Sequence, residues 1–131
     1  MHVARATARP VRDALTPLQR SLAAPGGAVL EGRDTGSVVC PDAEVKFYLD
    51  ADPDARARRR RDELAARGIV LEIAAVREEV ARRDRQDGGR ALAPTVRPPG
   101  AVLVDSTHLD AEAVLQRLVD EVERIRCCTR S

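Results

Sequence analysis

Residues 101–105 read AVLVD, four apolar residues closed by an aspartate. A short, uniformly apolar run of this kind is typical of a strand that is buried on both faces of a parallel sheet. Earlier in the chain, residues 44–50 read EVKFYLD, which alternates and is rich in strand-forming residues. Because helical patterns separate and follow these segments, we predict an α/β fold with a parallel sheet and flanking helices.

The helical patterns lie on both sides of these strands. Apolar residues recur at helical spacing before residue 25, with Pro17 predicting a kink or a restart; they are Val11, Leu15, Leu18 and Leu22. Asp52 and Pro53 predict a helix start, and Gly68 its end. A charged helix is predicted over residues 72–86 and a final one over residues 110–126, whose inward residues would be Ala113, Val114, Leu118, Val122 and Ile125. The apolar residues 28–30 predict a further short strand, leading into the loop at residues 31–37.

Composition narrows the function classes. The chain has 131 residues, which fits one domain. Its net charge of +1 gives it no overall electrostatic attraction to nucleic acid or membrane. Phe47 and Tyr48 are its only aromatic residues, so it lacks stacking platforms for single strands. No apolar run is long enough to cross a membrane, and no hydrophobic signal core opens the chain. Three cysteines without metal-ligand spacing predict reduced thiols and a cytoplasmic location.

Two loops place arginines beside acidic residues, RDRQDGGR at residues 83–90 and EGRDTGS at residues 31–37. Arginine offers a charged, planar fork of donors to phosphate oxygens, and a neighbouring aspartate accepts hydrogen bonds from neutral groups. A nucleotide carries both kinds of group. Taken singly, each motif also has an ordinary interpretation: residues 58–61 as a solvated helix face, residues 83–90 as a charged helix end, GRD as a glycine turn, and DST at residues 105–107 as a helix cap.

Several motifs together resemble one family. They are PVRDALTPLQR at residues 10–20, EGRDTGSVVCPDAEVKFYLDA at 31–51, ARARRR at 55–60, RDRQDGGRALAP at 83–94 and VLVDST at 102–107. In this order they resemble the C-terminal part of bacterial-type cytidylate kinase, over nearly the whole chain. The resemblance implies transfer of the γ-phosphoryl group of ATP to CMP or dCMP with Mg²⁺. It also implies a P-loop nucleoside monophosphate kinase fold, with a five-stranded parallel core, a mobile domain and a short lid.

The resemblance implies roles for eight residues. Those matching by position are Arg12 and Asp34 for the cytosine, Arg83 and Asp87 for the sugar, Arg33 and Arg90 near the acceptor phosphate, and Arg59 and Arg60 on the lid. Arg59, Arg60 and Arg90 would be the catalytic cations, and no residue is expected to ligate a metal. The lid would span about residues 58–72, and residues 127–131 would form a frayed tail.

The chain also departs from the family pattern. It contains no GxxxxGK[ST] string, and its single lysine, Lys46, lies in a predicted strand. The family's strand order, 2-3-1-4-5, would place an absent first strand between the strands near residues 28 and 44. Glu31 replaces the usual aspartate before GRD, and no serine stands near His2 where the family reads the base. These two departures bear on ion placement and base selectivity.

We therefore expect a cytidylate kinase sequence truncated at its N-terminus, without the phosphate-loop strand and the mobile domain, and inactive alone. The alternatives are half of a split kinase that needs a complementing chain, or a non-catalytic nucleotide-binding or interaction module. An RNA-binding protein that uses the arginine runs is a weaker alternative because aromatics and net charge are low. The expected partners are CMP or dCMP and ATP, and neither nucleic acid nor membrane is expected. The chain would be a monomer, or would pair with a complementing chain if the kinase is split.

Overall fold

A computed structural model describes residues 9–88 and 97–129, without the side chains of residues 87 and 88. The described elements, in chain order, are α1 (Arg9–Ala23), a π-helical turn (Thr35–Val39), β1 (Phe47–Asp50), α2 (Pro53–Ala66), α3 (Ile73–Gly88), β2 (Val102–Asp105) and α4 (Ala111–Thr129). Within this part of the chain, none of the helices combines the length and the apolar character that a membrane crossing requires.

The two strands form a parallel pair. Their register aligns Phe47 with Val102 and Asp50 with Asp105. Beyond the last pair, the Ser106 amide donates to the Asp50 carbonyl at 2.8 Å, so the ladder continues into the loop that follows β2. The predicted parallel sheet is confirmed, and the carboxyl ends of β1 and β2 lie together at one edge, where ligands of open α/β sheets bind.

Helices α2 and α3 form a hairpin with buried apolar residues between them. The Asp52 side chain accepts from the Asp54 amide at 2.8 Å, and Pro53 occupies the first turn, as the sequence predicts. Gly68 ends the helix with a φ of +80°. This left-handed conformation is sterically less favourable for residues that carry a Cβ atom. Between the helices Ala57 and Val76 are fully buried.

The hydrophobic core is small. Among the described residues, the buried apolar ones are Val39, Ala51, Ala55, Ala57, Leu64, Val76, Ala101 and Val104. Neither α1 nor α4 contains a buried residue. Of the predicted inward residues of α4, Val114, Leu118, Val122 and Ile125 are half-buried, whereas Ala113 is exposed. These two helices are therefore held by partial contacts and present much of their apolar surface to solvent.

Residues 28–30 do not form the predicted strand, and Val29 is 98% exposed. A strand needs a neighbour that pairs with its backbone amides and carbonyls. Only β1 and β2 form a sheet within residues 9–88 and 97–129, and they pair with each other. The apolar run therefore lies in a connection without regular secondary structure before the π-helical turn.

Three local differences from the sequence-based expectations have simple causes. Helix α1 continues through Pro17 without the restart that the sequence allowed, and Pro17 is exposed, so that water can reach the carbonyl left without an amide partner. Helix α4 extends past residue 126 to Thr129, whose hydroxyl donates to the Ile125 carbonyl at 2.9 Å. The N-cap of α4 is Asp110, which accepts from the Ala113 amide at 2.8 Å, so the DST segment has a different role.

Candidate functional site

A cleft of about 290 Å³ opens in the groove between α2 and α3. Helical spacing builds both of its walls, because residues four apart lie on one face of a helix. Its lining residues are Arg56 and Arg60 from α2, Glu79, Val80, Arg83 and Asp84 from α3, and Arg33 from the loop before the π-helical turn. We call this the arginine cleft.

Carboxylates hold two of its four guanidinium groups in place. Arg56 Nη1 lies 2.8 Å from Asp84 Oδ1 and 2.6 Å from Oδ2, while Arg56 Nε donates to the Ala51 carbonyl at 3.1 Å. Arg60 Nη1 lies 3.0 Å from Glu63 Oε2, and its Nη2 lies 3.9 Å from Glu79 Oε1. Charge-assisted hydrogen bonds of this kind orient the planar fork of an arginine. The cleft is thus an arranged set of donors.

The charge of the cleft suits an anion. Four guanidinium groups face two carboxylates, which leaves an excess of two positive charges among the described lining residues. A phosphate monoester carries about −1.5 to −2 at neutral pH, and arginine binds its oxygens in pairs. Glu63, 3.0 Å from Arg60, lowers that excess, so the arrangement suits one phosphate monoester and compensates its charge in part.

A second pair of expected residues meets beside this cleft. Arg12 of α1 forms an ion pair with Asp34, the residue after Arg33, and the two side chains are only 19% and 18% exposed. Arg20 fixes α1 against the π-helical turn, because it donates to the Val38 carbonyl at 2.7 Å and to the Val39 carbonyl at 2.8 Å. A half-buried carboxylate aimed by a guanidinium is suited to accept from a ligand's amino group.

Arg59 lies in different surroundings from its neighbour Arg60. Its guanidinium donates to Ser106 Oγ at 3.0 Å, to the Leu109 carbonyl at 3.1 Å and to the Ser106 carbonyl. Ser106 is the one buried polar residue of the described chain, and its hydroxyl donates to the Asp50 carbonyl at 3.0 Å. Arg59 therefore links α2 to the carboxyl edge of the sheet.

Two expected site residues have no described side chain. Asp87 belongs to α3, four positions after Arg83 and hence on the same side of the helix, but its side chain lies outside the described part of the structure. Arg90 also lies outside the described residues. Of the eight residues implied by the resemblance, Arg33, Arg60 and Arg83 line the arginine cleft, Arg12 and Asp34 pair beside it, and Arg59 lies elsewhere.

A second cleft, of about 570 Å³, lies at the carboxyl edge of the sheet. It is lined by Asp50, Ala51, Asp52, Pro53, Arg56, Leu103, Asp105, Thr107 and His108. Hydrogen bonds from the Thr107 hydroxyl, at 2.6 Å, and the Thr107 amide, at 3.0 Å, lower the pKa of Asp105. The DST segment thus forms a tight turn that closes this edge. Arg56 lines both clefts and forms the wall between them.

Sequence reasoning missed four residues of this region: Arg20, Arg56, Glu79 and Asp84. The signal for three of them is helical spacing, because three pairs stand four residues apart: Arg56 and Arg60, Glu79 and Arg83, and Val80 and Asp84. Arg20 carries no such signal, since its acceptors are backbone carbonyls 18 and 19 residues away. No three His, Cys, Asp or Glu residues of the described ranges are grouped so as to hold a metal ion.

Comparisons with known proteins show which family this chain resembles. A family model for cytidylate kinase matches residues 2–124. A cytidylate kinase of Rhodopseudomonas palustris (strain BisB5) is 47% identical over 92% of this chain and 58% of its own length. A cytidylate kinase of Azorhizobium caulinodans is 50% identical over 91% of this chain and 59% of its own. One of Geobacter sp. (strain M21) is 52% identical over 82% of this chain and 46% of its own.

The chain spans about half the length of the curated relatives that it matches. The matched region contains both loops that carry the arginine and aspartate motifs, as well as both strands of the sheet. A family match over most of the chain and identities near 50% leave one conclusion about ancestry. The chain belongs to the cytidylate kinase family.

Proposed function

We propose that this chain supplies the acceptor side of a cytidylate kinase, which transfers the γ-phosphoryl group of ATP to CMP or dCMP. In that reaction an oxygen of the acceptor phosphate bonds to the γ-phosphorus of ATP. The bond between the γ-phosphorus and the oxygen that bridges it to the β-phosphate breaks, giving CDP or dCDP and ADP. The single observation that carries the proposal is the convergence of Arg33, Arg60 and Arg83 on one cleft. The family names of the relatives support the same chemistry.

In this proposal the arginine cleft binds the acceptor phosphate and the adjoining sugar. Arg33 and Arg60 neutralise the phosphate, and Arg83 binds near the ribose, where Asp87 would accept from a hydroxyl group. Phosphoryl transfer depends chiefly on positioning and charge neutralisation, so fixed guanidinium groups are what the reaction requires. Arg90 would add a further cation to the same phosphate.

The Arg12–Asp34 pair would read the base. The Asp34 carboxylate accepts from the exocyclic amino group of cytosine, and Arg12 both aims the carboxylate and donates to a ring acceptor. Uracil presents a carbonyl in place of that amino group, and two acceptors facing each other repel. The pair would therefore favour CMP over UMP.

ATP and Mg²⁺ would supply the transferred phosphoryl group and its charge neutralisation. No GxxxxGK[ST] string occurs in the 131 residues, and the described residues offer no group of three metal ligands. We therefore assign neither the donor phosphates nor a metal ion to residues of this chain. Arg59 would keep the carboxyl edge of the sheet in place beside the donor, through Ser106.

We further propose that turnover requires a segment that carries the phosphate loop, either joined to this chain or on a complementing chain. The sheet supports this view. A two-stranded sheet is marginal alone, and parallel strands are usually covered on both faces. Among the described residues, the edge of β1 away from β2 pairs with no strand, and Val29 and Leu49 are 98% and 55% exposed.

Binding of CMP by calorimetry tests the acceptor proposal. We expect Arg83→Ala to weaken CMP binding by about tenfold or more, the loss of one charge-assisted contact. The matched control is Arg85→Ala on the same helix, where Arg85 pairs with Glu78 at 3.2 Å outside the cleft. Equal losses in the two variants would contradict a specific acceptor site in the cleft.

Turnover tests the need for a phosphate loop. With ATP, Mg²⁺ and CMP, the 131 residues alone should form no CDP, and mixing with the N-terminal half of a relative should restore CDP formation. CDP formation by the chain alone, abolished by Arg90→Ala, would contradict this part of the proposal. Failure of every relative's N-terminal half to restore turnover, with CMP binding intact, would favour the non-catalytic nucleotide-binding module.

A further inference from the structure

We propose that Glu79 and Asp84 are specificity-determining residues that match the arginine cleft to a phosphate monoester and weaken its hold on a diphosphate. The inference rests on the proposed function, in which a nucleoside monophosphate enters this cleft and a nucleoside diphosphate must leave it. Neither residue is among those that the family resemblance implies.

The geometry places both carboxylates inside the cleft, among the cations. Glu79 and Asp84 belong to α3, as Arg83 does, and line the same cleft, where each lies near a different arginine of α2. Glu79 Oε1 is 3.9 Å from Arg60 Nη2, and Asp84 Oδ2 is 2.6 Å from Arg56 Nη1. An anion bound by these arginines would therefore lie close to two negative charges of the protein.

Charge explains what the carboxylates do. Without them the four lining arginines would offer four positive charges; with them the excess is two. Glu63 beside Arg60 lowers that excess further, so a monoester dianion, at about −2, already uses all of it, whereas a diphosphate adds roughly one further negative charge. This extra charge gains little from the arginines and meets the two carboxylates. Their effect therefore grows with the charge of the ligand, which is what discrimination between monophosphate and diphosphate requires.

Glu79 is the residue that tests this most cleanly. Arg60 keeps Glu63, whose Oε2 is 3.0 Å from its Nη1, so Glu79→Gln removes a charge and leaves the arginine oriented. Glu78 precedes it on α3, pairs with Arg85 at 3.2 Å and does not line the cleft. Glu78→Gln is thus a matched control, with the same change in net charge on the same helix.

The experiment measures dissociation constants of CMP, CDP, inorganic phosphate and pyrophosphate for the unsubstituted chain, Glu79→Gln and Glu78→Gln. A unit charge about 7 Å from the ligand, at an effective dielectric constant near 60, changes affinity by about fourfold per ligand charge. We therefore expect Glu79→Gln to tighten CDP and pyrophosphate binding about threefold to fivefold more than CMP and phosphate binding. The gain should shrink in 0.5 M salt, because exposed charges are screened.

Asp84→Asn should likewise tighten the binding of CDP and pyrophosphate more than that of CMP and phosphate. Circular dichroism should confirm that α2 and α3 are intact in this variant. The proposal is overturned if Glu79→Gln and Glu78→Gln change the preference between diphosphate and monophosphate ligands equally. It is also overturned if neither phosphate nor pyrophosphate binds the unsubstituted chain. If both inorganic anions follow the expected pattern while CMP fails to bind, the role of Glu79 and Asp84 in discriminating by ligand charge stands and the proposed function fails. The two claims are thus separable.

Discussion

Arg59 and Arg60 are neighbours in the chain, yet their guanidinium groups lie in different surroundings. Arg60 lines the arginine cleft, while Arg59 donates to two backbone carbonyls and a hydroxyl at the edge of the sheet. Successive helical residues point about 100° apart, so adjacent arginines rarely serve one site. The run at residues 58–61 is therefore divided among a structural link, a cleft residue and solvated side chains.

Arg59→Ala should lower the free energy of unfolding by about 1–3 kcal/mol, because the buried Ser106 carbonyl and its neighbours lose a charged donor. Urea unfolding followed by circular dichroism measures the change. The control is Arg58→Ala, an exposed position on the same helix, which should change stability by less than about 0.5 kcal/mol. Similar losses at both positions would mean that the link to Ser106 contributes nothing.

Thr107 determines the acidity of Asp105. Its hydroxyl donates to Asp105 and accepts from the Asp52 amide at 2.9 Å, and the first of these bonds is the main cause of the lowered pKa. Thr107→Val should raise the pKa of Asp105 toward its ordinary value near 3.8, and Thr107→Ser should keep it low. A side-chain NMR titration reports the change. An unaltered pKa in Thr107→Val would show that the hydroxyl has no such effect.

The same bond gives a pH dependence of defined sign. Because the folded-state pKa of Asp105 lies below its unfolded value, the associated stabilisation is present at neutral pH. It is lost as the pH falls below about 4 and through the folded-state pKa. The difference in unfolding free energy between the unsubstituted chain and Thr107→Val should therefore narrow in acid.

Among the elements, α2 illustrates how local chemistry sets a boundary. Asp52 accepts from the Asp54 amide, Pro53 follows, and Gly68 ends the segment with a positive φ. These devices act within a few residues, so the pattern predicted both ends of the helix. The strand predicted at residues 28–30 lacks any such local device, because a strand is completed by a neighbour distant in the chain.

Asp52→Ala should cost about 1 kcal/mol of unfolding free energy, the usual effect of removing an N-cap. Asp52→Ser should retain most of the stability, because serine also accepts from the amide two residues on. The matched control is Asp62→Ala, an exposed aspartate in the interior of α2. Thermal unfolding of the three variants measures these effects. Equal destabilisation by Asp52→Ser and Asp52→Ala would contradict the capping role.

Across the whole molecule, burial is uneven. The hairpin of α2 and α3 encloses fully buried side chains, whereas α1 exposes Leu18 and Leu22 by 54% and 71%. Exposed apolar surface of this kind commonly marks a place where other protein surface packs. The stability of the described fold therefore resides mainly in the hairpin and the strand pair beside it.

Leu18→Gln with Leu22→Gln should leave the free energy of unfolding within about 1 kcal/mol of the unsubstituted chain, since exposed substitutions have small effects. Val76→Ala, at a position with no exposure, should cost about 2 kcal/mol through two lost methyl groups and the resulting cavity. Chemical unfolding compares them. A larger loss in the leucine variant would mean that α1 contributes more to the core than its exposure indicates.

Local patterns in the chain were enough to predict the parallel α/β class, the ends of α2 and the residue types suited to a phosphate. Caps, helical spacing and strand alternation act over a few residues, so they can be recognised one segment at a time. No local pattern grouped Arg33 with Arg83, which only the family resemblance implied, and the carboxylates set among the arginines came only from the tertiary structure. Those neighbours are up to 51 positions apart in the chain, and they meet because α3 docks against α2 and the loop that carries Arg33 lies beside both helices. No local pattern encodes that packing, because it depends on which faces of distant segments bury one another.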